Sequence, residues 1–186
     1  DRSPDAPAQI LVADDVEMNR DLLARRVRRL GPEVLMAVDG RQALEVLRER
    51  PVDVLLLDIM MPNMNGYEVL EAMAADERLR HVPVIMISAI DEKESIARCI
   101  ELGADDYLPK PFDPLILQAR LGASLARKRL REREQLYQKS LVRELEIGRE
   151  IQAHFLPATL PALTGYELAA RLRSARMVGG DFYDFF

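Results

Sequence analysis

Asp14 and Asp15 stand side by side after the apolar run Ile10-Leu11-Val12-Ala13, and Asp58 follows another, Val54-Leu55-Leu56-Leu57. Ser88 closes a third run, Val84-Ile85-Met86-Ile87, and Lys110 lies just past Tyr107-Leu108. Carboxylates gathered in one crevice need a counter-charge, because at ~5 Å and an effective dielectric of ~20 each like-charged pair repels by roughly 3 kcal/mol. Hard oxygen ligands in a partly solvated site favour Mg²⁺, which keeps several waters and takes one or two carboxylates. A metal, the Ser88 hydroxyl and the Lys110 ammonium together form a receptacle for a phosphoryl group carried on one of the aspartates. Taken alone, an Asp-Asp pair after a strand is more often a helix N-cap. A lone lysine or serine in such a place is usually solvated surface. Four such features at the ends of successive strands point to a site.

The elements that must position these groups are legible in the pattern. Short runs rich in β-branched residues and leucine (10–13, 34–37, 52–57, 82–87 and a weak one at 106–108) suit strands buried on both faces of a parallel sheet. Between them, 17–30, 41–49, 67–75 and 92–102 have helical spacing. Five strands alternating with helices predict a flavodoxin-like, doubly wound α/β domain over 9–125, behind a flexible N-terminus at 1–8. In that topology the first and third strands are neighbours, so Asp14, Asp15 and Asp58 converge where ligands collect, outside the carboxyl ends of the strands.

The chain has 186 residues, 48% hydrophobic and 31% charged, enough apolar material for a core. No apolar stretch approaches the ~18 residues a membrane helix needs. The first nine residues lack a basic-then-apolar signal pattern. The single cysteine, Cys99, excludes an intrachain disulfide and fits a reducing cytosol. Net charge −5 weighs against nucleic acid as the main partner. A cytoplasmic protein without a membrane partner is the expectation.

Beyond Pro111 the texture changes. From Leu115 to about His154 there is no proline, and Leu130, Tyr137, Leu141 and Ile151 recur at near-heptad spacing. Glu134, Glu144 and Gly148 interrupt that seam. One long helix follows, whose 126–155 portion is expected to be an imperfect coiled-coil linker that pairs in parallel with a second copy. The basic run Arg127-Lys128-Arg129 invites a DNA-binding reading, but interleaved glutamates (Glu132, Glu134, Glu144, Glu146) make it a solvated helix face instead. Past a link at 157–161, residues 166–172 read as a strand opening a further α+β domain.

On Ile10 to Asp15, Asp58-Ile59-Met60-Met61-Pro62 with Gly66, Ser88-Ala89 and Tyr107-Leu108-Pro109-Lys110-Pro111, the chain resembles the receiver domain of two-component response regulators. The resemblance implies that Asp58 is the phosphoacceptor for a sensor histidine kinase. It implies that Asp15, Asp58 and the backbone carbonyl of Met60 hold Mg²⁺, with Asp14 acting through water. Ser88 and Lys110 then contact the phosphoryl oxygens, Tyr107 is the switch aromatic, and Lys110-Pro111 is a cis peptide.

A second resemblance rests on Arg149-Glu150-Ile151-Gln152, Leu156-Pro157, Gly165 to Arg171 and Val178-Gly179-Gly180-Asp181-Phe182-Tyr183-Asp184. These are similar to the start of metal-dependent (PPM, type 2C-like) serine/threonine phosphatases of the bacterial partner-switching branch. The resemblance implies that 156–186 begin such a domain, that Asp181 bridges two Mn²⁺ or Mg²⁺ ions, and that Asp184 is a further candidate there. Its implied substrate is a phosphorylated anti-sigma-factor antagonist. The family's later metal aspartates would lie past residue 186, so these residues alone are expected not to act as a phosphatase. Two other outputs stand beside this one: a non-enzymatic adaptor that docks a regulatory protein, and a transcription factor.

Overall fold

The computed structural model describes residues 6–89, 93–155, 164, 165 and 169. Five strands, β1 (Gln9–Ala13), β2 (Glu33–Ala37), β3 (Val54–Asp58), β4 (Val84–Ser88) and β5 (Asp106–Pro109), pair in parallel in the order β2-β1-β3-β4-β5. Five helices alternate with them: α1 (Glu17–Arg29), α2 (Gly40–Glu49), α3 (Gly66–Ala75), α4 (Lys93–Glu101) and α5 (Pro114–Phe155). The predicted element order and the flavodoxin-like sheet are both present.

The central strands β1, β3 and β4 are buried at every position, and alternate residues feed two separate cores. Leu11, Leu55, Leu57 and Met86 pack on one face with Leu44, Leu47, Val69, Leu70 and Cys99 from α2, α3 and α4. Ile10, Val12, Leu56, Ile85 and Ile87 pack on the other with Leu23 and Val27 from α1 and Leu117 and Leu121 from α5. Period-two alternation with both faces apolar is what a doubly wound sheet demands.

Two strands begin later than their apolar runs. β3 starts at Val54 rather than Val52, because the Asp53 carboxylate accepts hydrogen bonds from the Gln9 backbone N–H (2.7 Å) and the Lys128 ammonium (2.6 Å). β4 starts at Val84 rather than Val82, since Pro83 has no N–H to give to a ladder. Helix α3 opens on a capping box: the Asn65 side chain accepts from the Glu68 N–H, and the Glu68 carboxylate accepts from the Asn65 N–H.

The chain forms two compact units, one ending at Leu130 and one beginning at Arg131. The first holds the sheet and the opening of α5, where Lys128 also donates to the Val52 carbonyl (3.1 Å) and Arg120 pairs with Asp106. In the second, Tyr137, Leu141, Leu145 and Ile151 are exposed on α5. The strand expected at 166–172, Asp181 and Asp184 lie outside the described residues, apart from Ala169. No described helix is long and apolar enough to cross a membrane.

Candidate functional site

Pairing of β1 with β3 places Ala13 beside Leu57, so the residues that leave the two strands emerge together. Asp14, Asp15 and Asp58 each bring a carboxylate oxygen within 4.8 Å of the others. Asp14 and Asp58 are buried, and Asp15 is exposed. From the end of β5, Lys110 reaches back to Asp14 Oδ2 at 2.7 Å and Asp58 Oδ1 at 3.1 Å. Ser88, buried at the end of β4, stands next to Ile87, the partner of Asp58 in the sheet. Tyr107 is buried on β5, and the Lys110-Pro111 peptide is cis.

One ammonium against three carboxylates leaves the pocket negative. Burial pushes the Asp58 carboxyl above the usual carboxylate range, and the charge and hydrogen bond of Lys110 only partly offset it. Burial works against the Lys110 ammonium too. There the hydrogen bond to Asp14 and the charges of Asp58 and Asp14 prevail, so Lys110 is held above the ordinary lysine value. The lysine is therefore a fixed cation.

The donor set fits a hard divalent ion, and the three aspartates are not equivalent toward it. Asp14 has committed both oxygens: Oδ1 accepts from the Val16 N–H (2.9 Å) and Oδ2 from Lys110. Asp58 shares the lysine, at Oδ1 (3.1 Å), while Asp15 is the exposed member of the three. Two groups that the sequence did not single out hold this corner. Arg20 Nη1 donates to the Asp14 carbonyl (2.7 Å) and Asn19 to Asp14 Oδ1 (3.5 Å). Their only sequence signal is a position in the first turn of the helix that follows Asp15.

Gly66 is the tightest point beneath the site. A Cβ there would lie 2.5 Å from the Asp58 carbonyl oxygen and 2.9 Å from Met86 Cε, so only glycine lets α3 begin this close to the end of β3.

Residues 10–122 match the response regulator receiver domain family. The chain belongs to that family. This receiver is 41% identical over 123 residues to the response regulator PleD of Caulobacter vibrioides (strain NA1000 / CB15N), which covers 66% of this chain and 27% of PleD. It is 41% identical over 127 residues to the transcriptional regulatory protein CpxR of Escherichia coli (strain K12), covering 68% of this chain and 53% of CpxR. The chain thus spans about half or less of the length of these relatives.

Among solved structures, the chemotaxis protein CheY4 of Vibrio cholerae matches with TM-score 0.61 at 31% identity, over 64% of this chain and 100% of that one. The Francisella response regulator 1452 receiver domain matches with TM-score 0.61 at 31% identity, over 64% and 98%. Receiver domains are phosphorylated by sensor histidine kinases and generally bind Mg²⁺ at an acidic pocket of this kind.

Proposed function

We propose that Asp58 of this receiver accepts a phosphoryl group from a sensor histidine kinase and that the aspartyl phosphate controls a C-terminal serine/threonine phosphatase domain. The observation that carries the first half is the Lys110 ammonium, 3.1 Å from Asp58 and 2.7 Å from Asp14 at the mouth of a three-carboxylate pocket. Asp15, Asp58 and the Met60 carbonyl would hold Mg²⁺, with Asp14 behind a water. When bound, that ion offsets the carboxylates and the charge on the incoming phosphoryl oxygens.

An Asp58 carboxylate oxygen attacks the phosphorus of the kinase phosphohistidine. The P–N bond breaks and the imidazole leaves with the electron pair. Lys110 and Ser88 meet the phosphoryl oxygens, and the fixed positive charge of Lys110 stabilises the charge that spreads over them in transfer. Tyr107 is buried in this structure, so its part in the switch is to hold or leave that inward place as Ser88 engages the phosphate.

The output half rests on the phosphatase-like string from Arg149 to Asp184. In it, Asp181, with Asp184 as a further candidate, would contribute to a site for two Mn²⁺ or Mg²⁺ ions. A phosphorylated anti-sigma-factor antagonist would be the substrate. The α5 residues Leu130, Tyr137, Leu141 and Ile151 would pair with a second copy and carry the signal between the domains. Neither nucleic acid nor membrane has a part in this reading, which places the protein in the cytoplasm.

Acetyl phosphate or beryllofluoride with Mg²⁺ tests the first half. Uptake is expected in the parent and absent from Asp58→Ala or when Mg²⁺ is removed. Equal uptake with and without Mg²⁺ contradicts the assignment.

A further inference from the structure

The loop from Ile59 to Asn65 joins Asp58 to α3 and carries the Met60 carbonyl. Its root is closed by the Gly66 N–H donating to the Ile59 carbonyl at 2.8 Å. Its far side is held from another part of the chain, the turn between β2 and α2. There the Asp39 carboxylate is divided between two jobs. Oδ1 accepts from the Gln42 N–H (2.9 Å) and caps α2, while Oδ2 accepts from the Asn63 side-chain amide at 2.8 Å.

Asn63 has φ 63°, in the left-handed region that asparagine enters more readily than most other non-glycine residues. A second tie runs beside the first. The Gly40 N–H donates to the Met64 carbonyl at 3.2 Å, and a Cβ at Gly40 would come within 2.6 Å of that same oxygen. Two backbones are in contact here, with a side-chain bridge one residue away on each strand of the junction. Helix capping alone requires only Oδ1 and leaves the bond to Asn63 unexplained. The bridge favours the ionised carboxyl: the Gln42 N–H and then the Asn63 amide hold Asp39 below the usual carboxylate range.

We infer that Asp39 is a positioning residue for the phosphoryl-transfer site: through Asn63 it fixes the loop that presents the Met60 carbonyl and follows the Asp58 nucleophile. Asp39 touches neither metal nor phosphate in this role. A ligand held only at the root of a seven-residue span between Asp58 and Gly66 would sample other orientations, and a carbonyl ligand has no side-chain rotamer with which to compensate. Partners one bond removed from a metal ligand commonly set its affinity by orienting it. The inference rests on the Mg²⁺ role proposed above for Asp15, Asp58 and Met60.

The test separates the brace from the cap by titrating Mg²⁺ calorimetrically into the phosphate-free protein and recording thermal melts of the same samples. Asn63→Gly keeps the left-handed backbone accessible and leaves the α2 cap untouched while removing the bridge. Asp39→Ala removes both. Asp39→Asn can still cap α2 with its oxygen and meet Asn63 with its amide. We expect Asn63→Gly and Asp39→Ala to weaken Mg²⁺ binding by about tenfold, with Asp39→Asn close to the parent. A melt that falls in Asp39→Ala while Mg²⁺ binding stays unchanged in both bridge-breaking variants would make Asp39 a helix cap only and overturn the inference. If the parent's Mg²⁺ binding is instead insensitive to Asp58→Asn, the metal reading fails first and the inference falls with it.

Discussion

Asp58 is kept where it is least comfortable. Its buried carboxyl faces Asp14 and Asp15, and its folded-state pKa lies above the unfolded value. A carboxyl so raised favours folding below its unfolded pKa, and that contribution is lost as pH rises through the folded pKa. At neutral pH, the ionised group therefore costs stability. Asp58→Asn should raise stability in Mg²⁺-free neutral buffer, with the gain shrinking in acid as the parent's carboxyl takes up its proton. Thermal melts across pH check this. The same titration predicts that Mg²⁺ binding begins to weaken, on acidification, above the ordinary carboxylate range, since a metal ligand must be deprotonated. The residue types of this pocket were legible in sequence because aspartate, serine and lysine after apolar runs are conspicuous. The commitments of individual oxygens were not. That Asp14 spends one oxygen on Val16 and the other on Lys110, a residue far along the chain, depends on the fold.

At the scale of elements, strand order brings the aspartates together, and close packing at the strand ends fixes their exits. Gly66→Ala should destabilise the domain by about 2–3 kcal/mol in urea unfolding, because its Cβ meets the backbone oxygen of Asp58, which cannot give way as a flexible side chain would. An unchanged midpoint would show that α3 can retreat from the site. Most elements were readable from periodicity, since strands with both faces buried are unbroken apolar runs. The misplaced starts at Val52 and Val82 share a cause. Hydrophobicity marks residues that want burial, whereas the ladder is ended by partners that hydropathy ignores: Asp53, claimed by Gln9 and Lys128, and the proline at 83. The Asn65 capping box was readable as Asn-x-x-Glu. The Asp39–Asn63 bridge was not, because its two halves belong to different turns.

For the molecule as a whole, the long α5 is the feature that a receiver alone does not need. Its predicted course from Leu115 to His154 agrees closely with the observed Pro114–Phe155. Beyond Leu130, its apolar side chains Tyr137 (67% exposed) and Ile151 (54% exposed) have little cover, and an isolated helix draws most of its stability from packing. The pairing with a second copy proposed above would account for that seam, with Glu134, Glu144 and Gly148 weakening it enough to be switchable. Sedimentation should show a dimer at micromolar concentration, moved toward monomer by Leu141→Glu. A protein monomeric at every attainable concentration, with Asp58 free or carrying beryllofluoride, contradicts a coiled-coil transmitter.

The central claim concerns where the phosphoryl group goes. An acyl phosphate can be reduced with borohydride, which leaves a permanent mark on the carboxylate that carried it. After treatment with acetyl phosphate and Mg²⁺, then borohydride, peptide mass spectrometry should find aspartate reduced to homoserine at Asp58 and at no other acidic residue. The mark should be lost when Mg²⁺ is withheld. Reduction at Asp14 or Asp15 with Asp58 intact would contradict the account.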